Sequence, residues 1–356
     1  MGLRKGFASL APKVASFLRI YRPELTPPEP VTLEVRGQLV PAALYDYPIS
    51  DTESIRICLA DRRGIDPIAD SIADGMAQPV GLFDLLPETV PQGGRVVDLG
   101  THVGTFTLFS AWKGYEVLAI DASPLNCALL RESVRANGFT NVTIIESAAS
   151  DHETTLRFFE NGPFGFVVDE KDTQRTTVQV EAKRVSTILN EIGWDHVDFV
   201  KMDIEGSEPA AIAGMQELLQ RPNAPAMLVE SNGHTLNQFG HSPTSLKKQL
   251  NALGYQLYLT QQSKLRPCSV DEPQGNVLVD YLATKSTPQC ESWKVTGPLT
   301  KSEHLAAILQ SLCSANRLEK RWGQNLLNLF TELCIQHPKI LEMYPGLPLK
   351  IEQKAA

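Results

Sequence analysis

The sequence predicts an α/β fold built on a doubly wound, mostly parallel sheet, and three observations carry that reading. Short β-rich runs alternate with helical stretches from residue 95 onward; a glycine-bearing loop, DLGTHVG (98–104), stands where the first of these strands meets its helix; and an acid, Asp121, closes the next strand. Alternation of this kind implies crossover connections, which place helices on both faces of a parallel sheet.

The elements follow in order. Residues 23–30, PELTPPEP, form a linker, because repeated proline prevents a continuing helix. VTLEVRGQLVPAALYD and ESIRICLA then alternate in the manner of strands. RVVDL (95–99), EVLAI (116–120), VTIIE (142–146), VDFVKM (197–202) and MLVES (227–231) are the candidate sheet strands, with helices expected to begin near Gly104, Pro124, Val185 and Ser207. Ser123-Pro124 and Ser242-Pro243 set a capping hydroxyl before a proline at the first helical position. TLRFFE (154–159) and TVQVEA (176–181) read as an inserted or edge hairpin. YQLYLT (255–260) and NVLVDYLATK (276–285), separated only by a loop, are expected to pair antiparallel and close one edge. Beyond Lys285, residues 301–317 and 319–336 read as amphipathic helices, the second carrying Leu326, Leu329, Phe330 and Leu333 on one face. Three regions result: a basic segment and linker (1–30), a catalytic-type α/β domain (31–286) and a C-terminal helical extension (287–356).

Composition narrows the function. A formal charge of −8 argues against adhesion to nucleic acid, which needs concentrated Lys and Arg, and points to a small-molecule or saccharide partner. The six cysteines are scattered, without CxxC or metal-ligand spacing, so they read as reduced thiols of a cytoplasmic protein, and no metal is expected. The N-terminal MGLRKGFASLAPKVASFLRIYRP has Arg4, Lys5, Lys13, Arg19 and Arg22 with no acid before Glu24. Its plain reading is a helix docked on the domain; the alternatives are peripheral contact with an anionic membrane or a transit peptide. The C-terminal helices pack on the domain by default, with homodimerisation or a lid as further options.

The loop VVDLGTHVGTF (96–106) departs from the GxGxxG that seats a pyrophosphate. DxGxxxG is a poorer phosphate cradle but suits a nucleoside with an amino-acid tail, and Asp121 stands where a carboxylate can accept from both ribose hydroxyls. The combination favours S-adenosylmethionine over NAD. For Asp98 the plainer alternative is a carboxylate that fixes the glycine loop, and for Asp121 a cap for the next helix.

VVDLGTHVGTFTL, AIDASP, VTIIESAASD, VKMDIEGSEPAAIAGM and LVES, in this order, resemble the FkbM-type family of S-adenosylmethionine-dependent methyltransferases over roughly residues 50–285. The resemblance implies the seven-stranded class I methyltransferase fold and O-methylation of sugars and natural products. By position it implies that Asp98, Gly100, Thr101, His102 and Gly104 form the first cofactor loop and that Asp121 with Ala122 meets the ribose. Ser147 and Ala148 fall where adenine is approached, and Asp203 lies beside the methionine portion. The chain has His102 where Asn is common in the family, and Asp121-Ala122 in place of Glu-Pro.

The stretch VKMDIEGSEPAAI (200–212) is the most charged strand end. Methyl transfer needs mainly alignment and desolvation, but a weak hydroxyl nucleophile benefits from a base. Asp203 or Glu205 is the candidate base and Lys201 the cation that would hold one of them ionised, the alternative being a structural ion-pair cluster. Glu208 reads as a first-turn helix acid, while Glu230 and His234 are weaker candidates. The reading is an S-adenosylmethionine-dependent O-methyltransferase acting on a sugar, glycan or glycosylated natural product. The competing readings are a noncatalytic scaffold on the same fold and an NAD-dependent oxidoreductase.

Overall fold

The structure, a computed structural model, describes residues 28–50, 52–61, 64–77, 81–168, 174–261, 263–272, 274 and 278–298. The basic N-terminal segment and both predicted C-terminal helices lie outside the described residues, as do Cys313 and Cys334.

An antiparallel sheet comes first: β1 (Glu29–Val35), β2 (Gln38–Pro48) and β3 (Ser54–Ala60), in that order. It is followed by α1 (Pro67–Ala73), a 3-10 turn at Gly81–Asp84 and α2 (Leu85–Thr89). The central sheet then begins, with β4 (Arg95–Leu99), α3 (Thr105–Trp112), β5 (Glu116–Asp121), α4 (Pro124–Ala136) and β6 (Val142–Glu146). A small four-stranded sheet is inserted next: β7 (Ala148–Ala149), β8 (Thr154–Phe159), β9 (Phe166–Val168) and β10 (Val178–Lys183). The chain returns through α5 (Val185–Glu191), β11 (Phe199–Met202), α6 (Glu208–Gly214), α7 (Gln216–Leu219), β12 (Ala226–Asn232), α8 (Gly233–Gln238) and α9 (Pro243–Ala252). It ends in β13 (Gln256–Gln261), β14 (Lys264–Cys268), β15 (Leu278–Thr284) and β16 (Lys294–Val295).

The central sheet runs β16-β14-β13-β15-β12-β11-β4-β5-β6. β6, β5, β4, β11 and β12 are mutually parallel, and β15 is antiparallel to both β12 and β13. This is the doubly wound, mostly parallel sheet expected from the sequence. Two strands exceed the seven expected: β14 folds back on β13, and β16 joins β14 in parallel. The connection between β13 and β15, read from the sequence as a loop, therefore contains a strand, and β16 carries the sheet past residue 286. The hairpin expected from TLRFFE and TVQVEA is present as β8 paired with β10.

Alternation along the strands builds two apolar layers. Val97, Leu99, Val200 and Met202 face α5, α6 and α9, joining Val185, Ile188, Ala211, Ile212, Leu246 and Leu250 in one buried cluster. Val96, Val117, Phe199 and Leu228 face the other way, onto Phe83, Phe106 and Phe109. Phe83 meets Phe106 edge-on with ring centroids 5.0 Å apart. The N-terminal sheet docks β3 on α4, where the Cys58 amide donates to Ser133 Oγ at 2.8 Å and the Arg56 amide to Asn137 Oδ1 at 2.8 Å. Cys58, Cys127, Cys268 and Cys290 are free thiols, the first two buried.

Candidate active site

Strand order reverses between β4 and β11, and ligands in open α/β sheets bind outside the carboxyl ends of the strands at such a switch point. Three strand ends build the site there.

The first is the β4–α3 turn. Gly100 has φ +76°, and a Cβ on it would lie 1.8 Å from the Asp203 carbonyl oxygen, so only glycine lets the two strand ends approach. His102 has φ +52°, a left-handed conformation that Asn, Asp and His tolerate best among non-glycine residues. The replacement of Asn by His therefore keeps the turn. It also adds a contact, because His102 Nε2 lies 2.6 Å from Asp66 Oδ2. Asp66 in turn caps α1, accepting from the Ala69 amide at 2.9 Å. Burial opposes its charge, but His102 and the backbone donors hold its pKa below the ordinary value.

The second is the end of β5. Asp121 Oδ2 accepts from the His102 amide at 2.8 Å, and Oδ1 accepts from the Ser123 amide at 2.8 Å and from Asn126 Nδ2 at 3.3 Å. Ser123 Oγ caps α4 through the Asn126 amide and donates to Glu160 Oε1 at 2.6 Å. Asp121 thus ties the glycine loop to α4 while one side of it lines the cavity. Its burial raises its pKa, against the opposing pull of the amides.

The third is the end of β11. Lys201 stands opposite Asp98 in the β11–β4 register. Its Nζ reaches Asp203 Oδ2 at 3.3 Å, the Gly100 carbonyl at 3.2 Å and Asp98 Oδ1 at 3.6 Å. Burial disfavours the ammonium, but Asp203 and Asp98 outweigh it and hold the lysine charged. Asp98 is fully buried and accepts from Thr107 Oγ1 at 2.6 Å through Oδ2, while Oδ1 receives no hydrogen bond. The turn that follows puts Glu205 at φ +51°, a strained setting for a non-glycine residue. Glu208 organises that turn from below: it is buried, and its Oε1 accepts from the Ile204 and Gly206 amides at 3.1 and 3.2 Å. The expected role of a first-turn dipole acid is therefore too weak a description of it.

Glu230 on β12 and Asp280 on β15 face each other in register and join this end. Carboxylate oxygens of Asp203, Glu205 and Glu230 lie within 4.8 Å of one another. Crowding and burial act together here. Burial, then Asp203 and Glu208, push Glu205 up to about 7. Burial and neighbouring acids push Asp280 to about 6 and raise Glu230 further.

All three ends open on one cavity of about 710 Å³, within the size range of small-molecule sites. Gly100, Thr101, His102, Asp121, Ala122, Ser147, Ala148, Lys201, Asp203 and Glu205 line it. Asp98 and Gly104 do not: Asp98 lies beneath, and Gly104 packs against Leu130. His234 is exposed and also outside it. Sequence reasoning missed Asn126, Asp280 and Asp66. An acid inside the apolar run VLVDYLA and an Asp directly before Pro67 were the available signals.

Residues 98–257 match the family model described as the methyltransferase FkbM domain. Over these residues the chain is similar to FkbM-type methyltransferases. The family is S-adenosylmethionine-dependent. Two curated relatives are the uncharacterized protein MJ1452 of Methanocaldococcus jannaschii, 28% identical over 131 residues, and methyltransferase sdnD of Sordaria araneosa, 24% identical over 162 residues. The alignments cover 37% and 36% of this chain and only 46% and 62% of those relatives. Among solved structures, a putative methyltransferase from Streptococcus mutans in complex with SAH has 11% identity and a TM-score of 0.35, covering 58% of this chain and 97% of that one. A TehB-like SAM-dependent methyltransferase from Corynebacterium glutamicum has 14% identity and a TM-score of 0.34, covering 61% and 94%.

The donor set fits S-adenosylmethionine. One end of the cavity offers Asp121, Asn126 and small residues at Ala122, Ser147 and Ala148, as a ribose and a flat base require. The other end holds four acidic side chains, Asp203, Glu205, Glu230 and Asp280, against one lysine, and a ligand bearing a sulfonium and an ammonium would favour the ionised forms of Glu205, Glu230 and Asp280 that burial and crowding oppose.

Proposed function

We propose that this chain is an S-adenosylmethionine-dependent O-methyltransferase whose acceptor is a hydroxyl on a sugar, glycan or glycosylated small molecule. The observation that supports it most is Glu205, a carboxyl in a strained turn at the cavity wall with its pKa raised to about 7. A base poised near the operating pH is what a weak hydroxyl nucleophile requires.

When bound, S-adenosylmethionine supplies a methyl group on an already activated sulfur. The chain's own residues supply position, charge and a proton acceptor. Asp121, Ala122, Ser147 and Ala148 hold the nucleoside end. Gly100, Thr101 and His102 would shape the turn that receives the amino-acid tail, and Asp203 would accept from its ammonium. Lys201 fixes Asp203 and ties the Gly100 carbonyl to β11. Glu205 would take the proton of the acceptor hydroxyl. Asp98, buried under Lys201, is a positioning residue.

The test is transfer of isotopically labelled methyl from S-adenosylmethionine into glycan and metabolite extracts by the full-length protein. A labelled product whose methyl resides in an ether is the expected result. Cofactor binding with no labelled product across extracts would favour a noncatalytic scaffold, and label in an N-methyl or C-methyl product would overturn the O-methyl assignment.

A further inference from the structure

The amides that hold Asp121 belong to two residues whose side chains reach other parts of the fold. His102 donates its amide to Asp121 Oδ2, and its ring Nε2 lies 2.6 Å from Asp66 Oδ2 at the start of α1. Ser123 donates its amide to Asp121 Oδ1, and its hydroxyl donates at 2.6 Å to Oε1 of Glu160, in the loop between β8 and β9. Each of the two segments that adjoin the nucleoside end of the cavity is therefore tied, through a carboxylate, to a residue that fixes Asp121.

The two segments meet at Asp66. This side chain is buried and caps α1, and a Cβ on Gly162 of the β8–β9 loop would lie 3.2 Å from its Oδ2, so the loop rests directly on it. Ile68 and Ser71 of α1 line the cavity on one side of this junction, and Gly162, Pro163 and Phe166 line it on the other. α1 packs through Ala69 and Ile72 in the apolar cluster of the N-terminal sheet, and Asp66 ties its start to the β4–α3 turn. The side chains of His102 and Asp66 are 16% and 6% exposed, so water competes little for their contact. Asp66 is held ionised, and an ionised carboxylate only accepts, so Nε2 carries the proton that joins the two.

We propose that Asp66 is a positioning residue of the cofactor site. Through His102 it seats α1 and the β8–β9 loop against the nucleoside, keeps the β4–α3 turn on Asp121, and so slows departure of the bound cofactor. An Asn at position 102 would keep the left-handed turn but is too short to reach Asp66, so the arrangement depends on the imidazole of this chain. This role rests on the reading of the cavity as an S-adenosylmethionine site.

The experiment measures release of tritiated S-adenosylhomocysteine from the full-length protein into an excess of the unlabelled compound, with thermal denaturation of the ligand-free protein alongside. Asp66→Ser keeps a capping hydroxyl for α1 but withdraws the carboxylate from His102, and His102→Asn keeps the turn but withdraws the ring. Each is expected to speed release about tenfold, as loss of a buried charge-assisted hydrogen bond would. The double variant is expected to release no faster than the faster single variant, because both substitutions remove the same contact. A lowered Tm with release at the wild-type rate is what a helix cap alone would give, and it would overturn the proposal, as would effects that multiply in the double variant. A wild-type protein that binds no S-adenosylhomocysteine would instead overturn the cofactor reading, and this role with it.

Discussion

Glu205 concentrates most of the proposed chemistry in one side chain. A base must be ionised to act, so activity is expected to rise with pH through about 7, the value to which burial and Asp203 push this carboxyl. Glu205→Gln should lower kcat by roughly 10²–10⁴-fold and flatten that profile, with affinity for neutral-sulfur S-adenosylhomocysteine retained, as steady-state kinetics and calorimetry would show. Asp203→Asn removes a like charge and should move the rise to lower pH; an unchanged profile would mean that Glu205 does not titrate in the rate-determining step. The sequence pointed to these residues because alternation puts Lys201 and Asp203 on one side of the strand, away from Val200 and Met202. It could not rank the acids, since burial decides that: Glu208 is 2% exposed and clasps two turn amides, whereas the Glu205 carboxyl lines the cavity.

At the scale of elements, the site depends on two strand ends meeting at Gly100. Gly100→Ala would force a Cβ into the Asp203 carbonyl at positive φ, so it should destabilise by well over about 1 kcal/mol and abolish cofactor binding, measurable by chemical denaturation and calorimetry. The N-terminal sheet hangs on α4 through buried Ser133, whose hydroxyl accepts from the Cys58 amide. Ser133→Ala leaves that amide unpaired and should cost about 1–3 kcal/mol in the same assay, without changing the Kd for S-adenosylhomocysteine. Helix starts were legible because their signals are local: Ser123-Pro124 and Ser242-Pro243 both cap helices, the latter through a reciprocal pair with Ser245. β14 and β16 were not, because LRPC and KV carry little intrinsic strand pattern and form only where β13 offers a ladder.

For the whole molecule, excess acid at the site couples stability, pH and ligand charge. Glu205 and Glu208 have ordinary values of 4.5 and are raised to about 7 in the fold. The folded state then binds more protons than the unfolded state between those values, so the ligand-free protein should lose stability as pH rises through that window. A cationic ligand beside Glu205 offsets this cost. The gain in Tm from S-adenosylmethionine should therefore exceed that from neutral-sulfur S-adenosylhomocysteine by a margin that widens from pH 5 to pH 8, as thermal denaturation would record. The order of strands and the place of the cavity were readable from VVDLGTHVGTF and VKMDIEGSE, since both sit at strand-to-helix turns. The apolar lining that α1 and the inserted sheet contribute was not, because these elements lie outside those motifs in sequence and are brought to the site by tertiary contacts such as His102 with Asp66 and Phe158 with Ala148. The most direct measurement is calorimetric titration of S-adenosylhomocysteine into the full-length protein. Micromolar binding that survives Glu205→Gln is the expected result, and a folded wild-type protein that gives no heat with either S-adenosylhomocysteine or S-adenosylmethionine would contradict it.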